Sequence, residues 1–133
     1  MARIEFWKDK AQGKIDPTLF SFRADALAEQ LAWQRALDNK KNKRTQLRKF
    51  YDEVLRLSTE AQNRPENWDS VLPRVHMLTA KAAYATGRGL VSDDFLAFMK
   101  ESVEQIETPK DLSLFADFFE AFMGFYRKHA PGN

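Results

Sequence analysis

The segment LFADFFEAFMGFY, residues 114–126, puts Phe115, Phe118, Phe119, Phe122 and Phe125 within eleven residues. On a helical wheel at about 100° per residue they spread, with Leu112, Leu114, Met123 and Tyr126, over roughly half the circumference or more. A helix packed on one neighbour needs an apolar stripe of only about 100°. This helix is therefore either enclosed at the centre of a bundle, or part of it meets a partner subunit. On the second reading Phe118 and Phe125 lie in a subunit interface. Gly124 permits a close helix crossing either way.

The rest of the chain supplies helices to surround it. Asp16-Pro17 reads as an N-cap followed by Pro at the first helical position, opening a segment to about Leu37 that carries Leu19, Phe20, Leu27 and Leu31. Residues 38–43 form a charged connector. A second helix runs from about Arg44 to Gln62, with Leu47, Phe50, Tyr51, Val54 and Leu55 on one face. Arg64-Pro65-Glu66 interrupts it. A third starts near Asn67, buries Trp68, Val71, Leu72, Val75, Leu78 and Ala82, and stops at Gly87-Arg88-Gly89. Ser92 caps a fourth, with Asp93 and Asp94 in its first turn and Phe95, Phe98, Met99, Val103 and Ile106 following. Thr108-Pro109 repeats the cap-plus-proline signal for the fifth, which ends near Lys128. Only Ile4 to Trp7 hints at a strand. The expected fold is all-α: a compact bundle of about five helices forming a single helical domain over 1–133, with 1–16 as a flexible N-terminal arm.

Several chemistries drop out. The chain has no cysteine, so disulfides, thiol catalysis and thiolate zinc sites are excluded. His76 and His129 are too few and too far apart for a histidine metal motif. No phosphate-cradling glycine loop, HExxH pair or nucleophile–base set is present, so neither an enzyme nor a cofactor is expected. No apolar run reaches the roughly 18 residues of a membrane span, and no secretory signal opens the chain, so a soluble cytoplasmic protein is expected.

Charge is unevenly placed. Residues 35–89 hold twelve Lys or Arg against six Asp or Glu, while 90–120 hold two against eight. The first half suits a polyanion and the second repels one. The acidic half, with Asp93 and Asp94, is expected to face a basic surface of a neighbouring subunit.

Within the basic half two clusters stand out. Lys40, Lys41, Lys43 and Arg44 have only Asp38 in reach and form a mobile basic cluster able to contact phosphate. Next to it, Arg48 can pair with Asp52, Lys49 with Glu53, and Asp52 with Arg56 at i, i+4, which weakens any functional reading of those positions. The second cluster is Arg74, Lys81 and Arg88, spaced seven apart, within about 40° on the wheel and spanning about 20 Å of helix. None has an acid at i±3 or i±4. A row of unpaired cations flanked by Tyr84 fits a row of phosphates, with the ring available to stack on a base or sugar or to donate to a phosphate.

Three segments also carry a resemblance. Gln46, Leu47, Arg48, Lys49, Phe50 and Tyr51 match a Gln-hydrophobic-Arg-Lys-Phe-Tyr helix start, and Lys81, Ala83, Tyr84, Ala85 and Arg88 match a Lys-x-Ala-Tyr-Ala-x-x-Arg segment. Phe119, Glu120, Ala121, Phe122 and Tyr126 are similar to a late Phe-rich segment. Over about residues 44–128 the chain thus resembles the small helical subunit of type III-A CRISPR effector complexes, the second Csm-type subunit. It departs from that pattern at Ala80 and Ala82, where the family usually has Pro and Leu, so helix three is expected to run straighter there.

The resemblance implies a non-catalytic subunit that stacks along the effector and lines the channel for crRNA and target RNA. Its implied partners are the backbone subunit, the large polymerase-like subunit and further copies of itself. Lys81, Arg88 and Tyr84 would touch the RNA backbone, and Arg48 and Lys49 would extend that surface, with sequence left to base pairing. Two other readings stand beside it: a helix-turn-helix DNA-binding regulator with helix three as recognition helix, and a helical adaptor that docks a protein through its Phe-rich helix.

Overall fold

A computed structural model describes residues 3–132. The elements, in order, are β1 (Trp7–Asp9), β2 (Lys14–Ile15), a π-helical turn (Leu19–Arg23), α1 (Ala24–Leu37), α2 (Arg44–Asn63), a 3-10 turn (Pro65–Asn67), α3 (Trp68–Gly87), α4 (Asp93–Glu104) and α5 (Pro109–His129). The bundle is the all-α fold expected, with one small hairpin added.

Caps written in the sequence set most of the boundaries. Ser92 accepts from the Phe95 N–H to open α4. Thr108 and Asp111 close a reciprocal capping box at the start of α5. At the 38–43 connector α1 ends and α2 begins where expected. α3 is continuous from Trp68 to Gly87 and passes through Pro73, whose missing N–H leaves the Asp69 carbonyl without its usual helical donor. The first helix begins later than expected: Asp16 caps locally by accepting from Thr18 N–H at 2.9 Å, but a π-turn intervenes before Ala24.

α5 is the axis of the molecule, packed by α1 and α2, while α3 packs on α2 and α4. Leu112, Leu114, Phe115, Phe118, Phe119, Phe122 and Tyr126 are all buried around it. The enclosed-helix alternative therefore holds. Phe118 is 0% exposed, so it belongs to the core and offers nothing to a partner subunit, contrary to its expected interface role. In α2 the buried face runs through Leu47, Phe50, Val54, Leu57, Ser58 and Ala61. Leu55, one residue or about 100° from Val54, falls off that face and is 42% exposed.

The N-terminal segment sits against the ends of α4 and α5. β1 and β2 pair antiparallel with Trp7 opposite Ile15, joined by a turn in which Gly13 takes a φ of 68°. Ile4 and Phe6 enter the core, and Phe6 stacks on Phe115 at 5.9 Å. Gln105 binds this segment twice: it donates to the Ile4 carbonyl at 2.6 Å and accepts from the Phe6 N–H at 3.0 Å.

Asp111 is the second clasp. Fully buried, it accepts from Trp7 Nε1 at 2.8 Å, Lys10 Nζ at 3.2 Å and the N–H groups of Glu107 and Thr108 at 2.9 and 3.0 Å. Burial pushes its pKa up, but the Glu107, Trp7, Lys10 and Thr108 donors together outweigh it and hold the carboxyl below its ordinary 3.8. A depressed folded pKa gives stability that is fully present above the unfolded carboxylate's value of about 3.9 and is lost as pH falls through the folded value. Asp111→Asn is expected to cost about 1–3 kcal/mol at pH 7 and to flatten the loss of stability below about pH 4. Urea midpoints at pH 7 and pH 3 test this; an unchanged acid limb in the variant would refute it.

Candidate nucleic-acid interface

α2 and α3 form an antiparallel pair joined by the short 3-10 turn, so residues seven apart on one helix face residues seven apart on the other. Arg74 lies across from Glu60, with Nη2 to Oε2 at 2.5 Å. One step on, Lys81 Nζ is 3.7 Å from Glu53 Oε1. A further step pairs Arg88 with Gln46, which share one groove lining but carry no opposing charge.

That register corrects the unpaired row expected from the sequence. The wheel of α3 sees only α3, and the neutralising carboxylates come from α2. Arg74 is spoken for by Glu60. Lys81 is partly so, while Arg88, without an ion pair among the described residues, instead lies over the Tyr84 ring with Cζ 5.7 Å from the centroid. Tyr84 is 67% exposed.

Glu53 also departs from its expected partner. It pairs with Arg56 and Lys81, not Lys49. The Arg56 hydrogen bond and the Lys81 charge lower its pKa against the opposing effect of burial. Lys49 is left exposed and unpaired among the described residues.

The result is a groove of about 320 Å³ between the helices. Phe50, Leu78, Ala85 and Leu90 make its apolar side, and Lys49, Lys81 and Arg88 its cationic rim, with Gln46, Glu53 and Tyr84 completing the lining. Two of the three segments that carried the family resemblance thus converge on one groove.

The other cations lie elsewhere. Arg48 pairs with Asp52 at 3.8 Å, both 60% exposed, a surface ion pair of about 0–1 kcal/mol. Arg44 donates Nε to the Gly132 carbonyl at 3.0 Å. Lys43 is exposed at the start of α2. Lys41 is half-buried in a separate groove beside Asp38, Asp93 and Asp94. The connector is not the mobile cluster expected, because Asn42 anchors it: the residue is buried, in a left-handed turn with φ 57°, and bonded to Ser92 and Leu90.

Of the expected interface residues, Asp94 is bound within the chain by the amides of Gln30, at 2.5 Å, and Gln34. Asp93 is exposed and Phe125 half-buried. Apart from Tyr84, the most exposed large apolar side chains lie away from the groove, at Phe22 before α1 and Trp33 and Leu37 within it, 64–69% exposed. A near-absence of amphipathicity in ALAEQLAWQRAL was the available signal.

Among the described residues no cluster of three or more His, Asp or Glu is placed to hold a metal, and no helix is long and apolar enough to cross a membrane. The family model described as Csm2 Type III-A matches residues 22–132. No curated protein and no solved structure matches the chain.

Proposed function

The chain belongs to the Csm2 Type III-A family, the small subunits of type III-A CRISPR complexes, and from that membership we propose that it holds the backbone of crRNA and target RNA without catalysing their cleavage. The observation that carries this reading is the α2–α3 groove, where Lys49, Lys81 and Arg88 from two separate segments share one rim beside Tyr84. Each phosphate that such a rim neutralises releases counterions, which favours RNA of any sequence. Sequence is then left to base pairing with the guide. The setting is the cytoplasm, the partners are the other Csm-type subunits and further copies of this chain, and the role is defence against foreign nucleic acid.

The helix-turn-helix reading fares worse. A recognition helix reads bases with its N-terminal residues, whereas Lys81 and Tyr84 lie in the C-terminal half of α3 and Arg88 follows its last residue. The adaptor reading loses its Phe-rich docking helix, which is buried.

Fluorescence anisotropy with single-stranded RNA at several salt concentrations tests the proposal. Lys81→Glu/Arg88→Glu is expected to weaken binding and to make the salt dependence shallower by at least about 1.4 in log–log slope, about 0.7 for each phosphate that the variant no longer neutralises. Because Lys81→Glu puts a carboxylate beside Glu53, Lys81→Gln/Arg88→Gln is run in parallel, with circular dichroism to check helix content. Unaltered affinity and slope in a folded variant, for the chain alone and in the assembled complex, would sink the proposal.

A further inference from the structure

A rim of cations is enough to hold phosphates, but this groove has more than a rim. Its inner side is apolar, formed by Phe50, Leu78, Ala85 and Leu90, and its volume of about 320 Å³ falls within the range of small-molecule sites, about 300–1,000 Å³. An exposed aromatic ring stands at its edge with a guanidinium over one face. It also contains a carboxylate, Glu53, which a surface built only for phosphate would exclude.

We infer that the groove takes a single unpaired nucleotide of the bound RNA, with its base against the apolar side, its ring stacked on Tyr84 and its flanking phosphates on Lys49, Lys81 and Arg88. The inference rests on the RNA-binding reading above and narrows it to one structural class of RNA. Bases in an A-form duplex are paired and stacked, so they cannot enter a cleft between two helices. An unpaired base can be splayed out and laid on an aromatic face or an Arg plane.

Glu53 then has a use. Its Oε2 is taken by Arg56, but Oε1 has only the looser contact with Lys81 at 3.7 Å. A phosphate that draws Lys81 away leaves Oε1 free to accept a hydrogen bond. The amino groups of cytosine and adenine supply one, whereas uracil turns a carbonyl oxygen to the same place, as thymine does. The groove should prefer amino-bearing bases. Gln46, across from Arg88, adds a neutral donor and acceptor to the same lining.

The test compares three short RNAs on the full chain at fixed salt: a single strand, a perfect duplex, and that duplex with one central unpaired nucleotide. Each carries 2-aminopurine at or beside the unpaired position. The bulged duplex is expected to bind at least about fivefold more tightly than the perfect one, the lower end of what stacking one base contributes, with 2-aminopurine fluorescence changing only where the base is unpaired. Tyr84→Ala should erase that preference and Tyr84→Phe keep it; at 67% exposure the side chain is not part of the core. Cytosine at the bulge should outbind uracil by about threefold or more, and Glu53→Gln should remove that difference. Equal binding of both duplexes with a silent Tyr84→Ala overturns the inference while the phosphate-binding reading stands. Failure of all three RNAs to bind at low salt, on the chain alone and in the assembled complex, overturns both.

Discussion

Phe98→Ala is expected to lower the stability of the fold by about 3–5 kcal/mol, the cost of emptying a buried phenylalanine site. Phe98 is 5% exposed and is the one α4 side chain whose ring meets four phenylalanines of α5. Its centroid lies 5.7–6.1 Å from those of Phe95, Phe115, Phe118, Phe119 and Phe122. Edge-to-face and tilted pairs at that spacing add about 0.5–1.5 kcal/mol each beyond area burial, so neither helix can easily close over the space left. A domain typically holds about 5–15 kcal/mol in all, and the variant should therefore unfold at much lower urea. Phe98→Leu, which keeps most of the volume, should cost considerably less. A loss below about 1 kcal/mol for the alanine variant would mean that α4 and α5 are not joined through this cluster.

The second large effect is expected at Asn42, a residue whose surroundings in sequence are all cations. Its side-chain Oδ1 accepts from the Ser92 N–H at 2.9 Å, and its Nδ2 donates to Ser92 Oγ at 3.0 Å and to the Leu31 carbonyl at 3.3 Å. Its own N–H donates to Leu90 O at 3.0 Å, and its carbonyl accepts from Tyr126 Oη at 2.5 Å. Burial pushes the Tyr126 hydroxyl up to about 12, so it remains a donor across the working pH range. One residue thus ties the α1–α2 connector to the α3–α4 loop and to α5.

Asn42→Ala leaves the Ser92 N–H buried without its partner, at about 1–3 kcal/mol. It also forces alanine into a φ of 57°, where only Gly and occasionally Asn or Asp sit without a penalty of about 1–2 kcal/mol. The total should be about 3 kcal/mol by urea unfolding. Asn42→Gly separates the two contributions, since it relieves the backbone and restores none of the side-chain bonds. If alanine and glycine cost the same, the left-handed turn is not what Asn42 supplies.

Much of this fold was legible because its signals are local. Ser92, Thr108-Pro109 and the 38–43 connector set helix ends through neighbours a few residues away, and the helices fall within a residue or two of where those signals put them. The candidate site was half legible. Lys81, Tyr84, Arg88 and Lys49 could be singled out from two segments, but their neutralising partners could not. Glu53 and Glu60 are invisible on the wheel of α3, and only the antiparallel register of α2 against α3 brings them opposite Lys81 and Arg74. Asn42 was hidden for a similar reason: between Lys41 and Lys43 it reads as one more polar residue, and its partners are 50 and 84 positions away. The hairpin at residues 7–15 was too short for alternation to show, and what fixes it, Asp111, lies at the far end of the chain.

The central position of α5 has a consequence for how the protein is made. The helix that α1 and α2 pack against follows them, and α3 and α4, in the chain. Until it emerges from the ribosome, Tyr51, Phe95 and Phe98 lack the α5 phenylalanines that pack on them, and Trp7 has no Asp111 to bond. The core cannot be completed element by element as the chain grows, and the contacts of α1, α2 and the N-terminal segment with α5 must wait until α5 has been made. In that interval the growing chain carries those aromatic side chains uncovered.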